Sequence, residues 1–103
     1  MDRIKRQAQR EMDAEILNYV RGMQKFAPVT SEGIYMYLKN TVRRKTTEMD
    51  VEDRLIYLTD AGYLKKETVW DGGEVVRYEI TATGIDLLDG NIPPRNWNGK
   101  HTA

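Results

Sequence analysis

The sequence predicts an α+β fold in which three helices are followed by a two-stranded hairpin and a short last helix. Two observations predict it. Apolar residues recur at helical spacing in three segments before residue 62, and then alternate in two short runs joined by Asp71-Gly72-Gly73. The length of 103 residues suits one small domain. We expect residues 1–90 to form it and residues 91–103, with their prolines and asparagines, to be a flexible tail.

The first helix is predicted from one apolar stripe that ends ahead of Ala27-Pro28. Ile4 and Ala8 continue the stripe backwards in steps of four, so the helix should begin well before Met12 and end near Phe26. Pro28 disfavours a helical residue before it, and Val29 should be extended, as a one-residue β bridge. The stripe itself consists of Met12, Ile16, Tyr19, Val20 and Met23.

Thr30 is a suitable N-cap for a second helix from Ser31 to about Asn40. Its inward residues should be Ile34 and Leu38, with Tyr35 or Tyr37 alongside.

The third helix begins after Thr47, which forms a capping-box pattern with Asp50 three residues later. It should run to about Ala61 and stop at Gly62, since glycine adopts the left-handed conformation that often ends a helix. Its predicted buried stripe is Val51, Leu55 and Leu58.

The hairpin is predicted from residues 64–70 and 74–80, because the two glycines of the connection permit the positive φ of a tight turn. Val76, Tyr78 and Ile80 should face inward. Trp70, beside the turn, either caps the core beneath the hairpin or is an exposed anchor. A short last helix over residues 81–89 should end at Gly90.

Composition excludes several classes of protein. The chain has no cysteine, one histidine (His101) near the end of the sequence and one serine (Ser31), so no metal site, cofactor or activated nucleophile is expected and the protein should not be an enzyme. No apolar run approaches the roughly 20 residues of a spanning helix. We therefore expect a cytoplasmic protein without membrane contact.

Charge is sorted by segment although the sixteen basic residues balance the sixteen acidic ones. Residues 1–10 contain four basic side chains and one acid, and residues 31–45 have the same ratio. Residues 48–62 carry five acids against Arg54 alone. The third helix is therefore acidic, and its neighbours along the chain are basic.

Two motifs resemble those of the winged helix-turn-helix superfamily over roughly residues 14–90. Leu55, Leu58 and Ala61-Gly62-Tyr63-Leu64 are similar to the end of the third helix in winged-helix regulators, and Ile80-Thr81-Ala82-Thr83-Gly84-Ile85 is similar to the segment that closes the wing. A weaker resemblance is to small winged-helix proteins of Mu-like phages and prophages. It depends on the short first helix, residues 84–90 and the basic tail.

The resemblance implies a noncatalytic protein of transcription-regulator type that binds double-stranded DNA, with the third helix in the major groove and the wing beside it. Arg54 and Tyr57 would then contact bases or sugars. The residues expected to hold phosphates are Arg43, Arg44 and Lys45 before the third helix and Lys65, Lys66 and Arg77 in the wing. Two alternatives stay open: a solvated linker for the first group, and protection of an edge strand for Lys65 and Lys66.

The outward face of the third helix favours a different interpretation. It presents Met49, Ile56 and Tyr57 beside Asp53 and Asp60, and carboxylates fit poorly against phosphates. The alternative is a winged-helix protein-interaction module that does not bind DNA and uses Met49, Ile56 and Tyr57 as its interface. A third possibility is that this face is partly buried and the helix phase differs.

Ile4, Ala8 and Met12 continue past the predicted domain on one stripe. Because winged-helix regulators commonly dimerise through an added helix, the resemblance implies a homodimer through these three residues. The alternative is a frayed, solvated basic helix.

Overall fold

The computed structural model describes residues 3–42, 45–70 and 72–90. The chain runs through α1 (Arg3–Met23), α2 (Ser31–Tyr37), α3 (Glu48–Asp60), β1 (Leu64–Trp70), β2 (Glu74–Ile80) and α4 (Ala82–Leu88). The predicted α+β class and the order of the elements are confirmed, and the arrangement is a winged helix-turn-helix. The predicted tail, residues 91–103, lies outside the described residues.

The core lies between the first three helices and the base of the hairpin. All of its fully buried side chains are aliphatic, and each stabilises the fold by about 1.5 to 3 kcal/mol through the apolar surface it removes from water. Tyr63, Leu64, Tyr78 and Ile80 close the core on the hairpin side. The fully buried helical side chains are Ile16, Leu17, Val20, Ile34, Leu38, Val51, Leu55 and Leu58.

The buried face of α1 differs from the predicted stripe. Leu17 and Asp13 are buried, whereas Met23, predicted to face inward, is 39% exposed. The helix ends at Met23 and not near Phe26, whose side chain is exposed. The reason is that α1 contacts α2, α3, α4 and β2, so its buried face is wider than one stripe, while the residues after Val20 extend past the core.

Thr30 caps α2 as predicted, because its hydroxyl accepts a hydrogen bond from the Gly33 N–H at 3.1 Å. Val29 forms the predicted single bridge, in which the Tyr78 N–H donates to the Val29 carbonyl at 2.8 Å. The α-helix ends earlier than predicted, at Tyr37, and the chain continues as a π-helical turn over Leu38–Val42. Leu38 remains fully buried at the start of that turn.

The predicted limits of α3 are confirmed. The Thr47 hydroxyl accepts from the Asp50 N–H at 3.1 Å, and the Asp50 carboxylate accepts from the Thr47 N–H at 3.0 Å, which completes the capping box. The helix ends at Asp60, and Gly62 has a φ of +89°.

The two strands of the wing pair from Leu64 opposite Ile80 to Trp70 opposite Glu74. The inward positions of Tyr78 and Ile80 are confirmed by their burial, and Val76 packs partly against the core.

The two motifs at residues 55–64 and 80–85 meet at the base of the wing. The Thr81 hydroxyl donates to the Gly62 carbonyl at 2.6 Å, and the Thr81 N–H donates to the Tyr63 carbonyl at 3.1 Å. The same hydroxyl accepts from the Gly84 N–H at 3.0 Å and caps α4. Gly84 approaches Tyr63 so closely that a Cβ there would lie 2.3 Å from the Tyr63 carbonyl oxygen. The motifs therefore form one junction between α3, β1 and α4.

Candidate nucleic-acid interface

The solvent face of α3 is apolar and acidic. Met49 is 72% exposed and Ile56 is 59% exposed, and Asp53 is exposed between them on the same side of the helix. Val51, Leu55 and Leu58 form the opposite, buried side. The predicted helix phase is therefore confirmed, and burial does not explain the exposed apolar residues.

Arg54 binds Asp13 of α1 through two hydrogen bonds. Its Nε and one Nη donate to the two carboxylate oxygens at 2.8 and 2.7 Å. The side chains are only 18% and 12% exposed. Burial raises the pKa of Asp13, because removal from water disfavours the carboxylate more than the Arg54 hydrogen bonds favour it. The pKa of Arg54 is raised above its ordinary value by the hydrogen bonds to Asp13.

Tyr57 lies next to this ion pair. The Arg54 guanidinium carbon is 4.6 Å from the centroid of the Tyr57 ring, within the range of a cation–π contact, and Tyr57 is half-buried against the core. The structure thus brings together the two side chains predicted to contact bases. Arg54 is held within the protein by this bidentate pair, and its side chain has little exposure from which to reach a base.

The basic residues before α3 are only partly within the described chain. Lys45 is exposed, two residues ahead of the Thr47 cap. Arg43 and Arg44 lie outside the described residues. The buried Thr46 separates Lys45 from the cap, so the backbone is held against the core at this point.

The three basic residues predicted for the wing have different surroundings. Lys65 and Lys66 are exposed on opposite faces of β1. Arg77 donates two hydrogen bonds to Glu67, at 2.8 and 2.9 Å, and lies 3.7 Å from Glu79. The Arg77 hydrogen bonds lower the pKa of Glu67. Lys65 and Lys66 are therefore more accessible to a ligand than Arg77.

Trp70 is 79% exposed at the end of β1. It lies on the same face of the strand as the buried Leu64, but six residues further along, roughly 20 Å at strand spacing. The wing extends past the core at this point. Trp70 is therefore exposed, as one of the two sequence interpretations expected, and it does not cap the core beneath the hairpin.

The residues predicted for dimerisation are not equivalent in the structure. Ala8 is exposed, and Met12 is half-buried against its own core. The Ile4 side chain is not among those described. Met12 therefore already contributes to the monomer, and Ala8 is the described residue of the set that is exposed.

Sequence reasoning missed Asp13. Its signal was a carboxylate between Met12 and Ile16 on the apolar side of a predicted helix, where a charged residue is almost never buried without a partner. The partner, 41 positions away, could not be identified from local spacing.

Over residues 3–42, 45–70 and 72–90, no group of three histidine, cysteine, aspartate or glutamate side chains could hold a metal ion. In the same part of the chain, no helix has the length and apolar character needed to cross a membrane.

Neither protein-family models nor curated proteins match the chain. Among solved structures, it is similar to Bacillus subtilis PadR in complex with operator DNA, with 23% sequence identity and a TM-score of 0.62. The match covers 81% of this chain and 48% of the PadR chain, so this chain spans about half the length of that protein. This likeness shows that the chain has the winged helix-turn-helix fold.

Proposed function

We propose that this chain is a noncatalytic DNA-binding protein of transcription-regulator type. The proposal is based on exposed basic residues that precede and follow α3 along the chain. Lys45 lies before the helix, and Lys65 and Lys66 lie in the wing after it. The fold is also that of PadR, whose solved complex contains operator DNA.

In this proposal, binding energy comes mainly from residues that flank α3. Arg43, Arg44 and Lys45 hold phosphates at one end, and Lys65 and Lys66 hold them at the wing, with Arg77 available only if it leaves Glu67. The face of α3 itself contributes no free cation, because its single basic residue is bound to Asp13. Tyr57 is the residue of α3 that we propose for base or sugar contact.

Three further parts of the proposal depend on the sequence. The resemblance to small winged-helix proteins of Mu-like phages suggests a phage or mobile-element source. A cytoplasmic location is the one in which such a regulator would meet DNA. A homodimer formed through Ile4, Ala8 and Met12 would place the basic residues of two α1 helices near one another. Two subunits would then present two DNA-contacting surfaces.

The test is the fluorescence anisotropy of a labelled mixed-sequence DNA duplex titrated with the protein at several salt concentrations. Each phosphate neutralised contributes about 0.9 to the slope of log affinity against log salt. Replacing Arg43, Arg44 and Lys45 with alanine should therefore lower the slope by about 2 to 3 and weaken binding strongly. The double change Lys65→Ala with Lys66→Ala should lower it by about 1 to 2.

The matched control is Lys25→Ala, which removes an exposed lysine beyond the end of α1 and outside the proposed contacts. It should leave both affinity and slope unchanged. Absence of binding at low salt, or equal losses in the control and the triple variant, would refute the proposed DNA interface.

A second function, a protein-interaction module, is favoured by the exposure of Met49 and Ile56 beside Asp53. The two functions differ in their response to the same changes. Met49→Ser with Ile56→Ser should abolish binding to a protein partner, in a complex that depends weakly on salt. The same double variant should retain the salt-dependent part of DNA binding if the flanking basic residues supply it.

A further inference from the structure

Helix α3 has one basic side chain, and that side chain is mostly buried within the protein. Arg54 is the only lysine or arginine between Glu48 and Asp60. Two hydrogen bonds tie it to Asp13 on α1, and the Tyr57 ring lies against its guanidinium. These contacts use the edge formed by Nε and one Nη and cover one face of the guanidinium, and the side chain is only 18% exposed.

We infer that Asp13 is a positioning residue that keeps the Arg54 side chain from contacting DNA, so that α3 binds DNA without a free cation. The inference rests on the proposed function, DNA binding. It assigns opposite effects to the two members of the ion pair. Removal of Arg54 should not weaken phosphate binding, whereas removal of the Asp13 charge should strengthen it.

The geometry favours a persistent Asp13–Arg54 ion pair over one that opens so that Arg54 can contact DNA. Both carboxylate oxygens are used, and the pair is bidentate, the arrangement in which arginine is held most specifically. Both side chains are mostly removed from solvent, so water does not readily replace either partner. Arg54 nevertheless lies at the edge of the exposed face, since Tyr57, its neighbour one turn on, is only half-buried.

A purely structural tie between α1 and α3 would give a different result. If the pair only holds the two helices together, its loss should weaken DNA binding and leave the number of phosphate contacts unchanged or lower. If Asp13 withholds Arg54, the freed arginine should add one phosphate contact. The slope of log affinity against log salt distinguishes the two, because it counts phosphates and not helix packing.

The experiment compares the wild type with Asp13→Asn, Arg54→Met and the double variant in the anisotropy titration over a range of salt. Asparagine keeps the size of the side chain and removes its charge and one of its two acceptor oxygens. Asp13→Asn should raise the slope by about 0.9 and increase affinity at low salt about tenfold. Arg54→Met should leave the slope at the wild-type value, and the double variant should return to that value.

Three results would overturn the inference. These are a wild-type slope in Asp13→Asn, a raised slope that persists in the double variant, and a lowered slope in Arg54→Met, which would place Arg54 on DNA in the wild type. If Arg54→Met does not fold by circular dichroism, the double variant replaces it, and the slope of Asp13→Asn against the wild type still decides between the two explanations. Absence of DNA binding in every protein, wild type included, would refute the proposed function itself. That result differs from the three above, in which the wild type binds DNA and only the inference fails.

Discussion

Substituting alanine at two glycines of this chain should change stability in opposite directions. At Gly84, an added Cβ would lie 2.3 Å from the Tyr63 carbonyl oxygen and 2.7 Å from Cγ1 of Ile80. At Gly22, which lies in α1, an added Cβ would have nothing within 4 Å. The chemical change is the same at the two positions, so the difference between them isolates the close approach of Gly84 to Tyr63 and Ile80.

The expected magnitudes follow from these contacts. The Tyr63 carbonyl would have to move by roughly 1 Å to reach an ordinary contact distance, and overpacking of this kind costs about 1 to 3 kcal/mol. That carbonyl accepts a hydrogen bond from the Thr81 N–H at 3.1 Å, and weakening this bond adds about 1 kcal/mol. The higher helix propensity of alanine offsets about 1 kcal/mol. Gly84→Ala should therefore destabilise the protein by about 1 to 3 kcal/mol.

Gly22→Ala should stabilise it by about 0.5 to 1 kcal/mol, because only the helix propensity changes. For a domain of this size, 1 kcal/mol corresponds to roughly 4 to 8 °C in Tm. Thermal unfolding followed by circular dichroism should thus show a fall of roughly 5 to 20 °C for Gly84→Ala and a small rise for Gly22→Ala. A Gly84→Ala protein as stable as the wild type would refute the proposed packing of the two motifs.

Three further predictions concern the cap of α3, the wing and the buried ion pair. Thr47→Ala should cost about 0.5 to 2 kcal/mol in urea unfolding, and Asp50→Ala should cost less in that background than alone, because the capping box is reciprocal; additive costs would contradict the box. Trp70→Ser should change the free energy of unfolding by no more than about 0.5 kcal/mol, since the side chain is exposed, and a larger loss would show that Trp70 packs in the monomer. The raised pKa of Asp13 means that the folded protein binds a proton at this carboxyl more readily than the unfolded chain does. The bound proton therefore stabilises the fold below the ordinary pKa of 3.8, and this stabilisation is lost as pH rises through the higher folded pKa. The stability of the wild type relative to Asp13→Asn should therefore increase as pH falls toward 4; a constant or decreasing difference would mean that Arg54 outweighs the burial of Asp13.

Much of the fold could be predicted because its signals act over a few residues. Thr30 and Thr47 were predicted as caps, Gly62 as the end of α3, and Val51, Leu55 and Leu58 as its buried side, and all are observed. The Val29 bridge followed from Pro28. A cap bonds to a backbone group three residues away, and a stripe repeats every three or four residues, so one sequence contains the necessary information.

The errors in the prediction occur where several elements pack on one helix. The periodicity of α1 selected Met23 and omitted Leu17, because a single stripe cannot represent a helix that contacts four neighbours. The end of α2 was placed at Asn40, whereas the chain enters a π-helical turn after Tyr37. The local sequence offered no signal for that turn.

The candidate site was predictable only in part. Exposure of Met49 and Ile56 followed from the helix pattern. The state of Arg54 did not, because an arginine beside a buried stripe has the same sequence pattern whether it faces a phosphate or an internal carboxylate.

The sequence alone determined the class of fold, the caps, the turns and the acidic, apolar character of the outward face of α3, since each depends on residue type and short spacing. Tertiary structure decided which charges are free. It joined Asp13 to Arg54 across 41 positions, paired Arg77 with Glu67 across the hairpin, and left Trp70 in solvent at the end of the wing. Burial and ion pairing depend on which segments meet in space, and a local pattern does not contain that information.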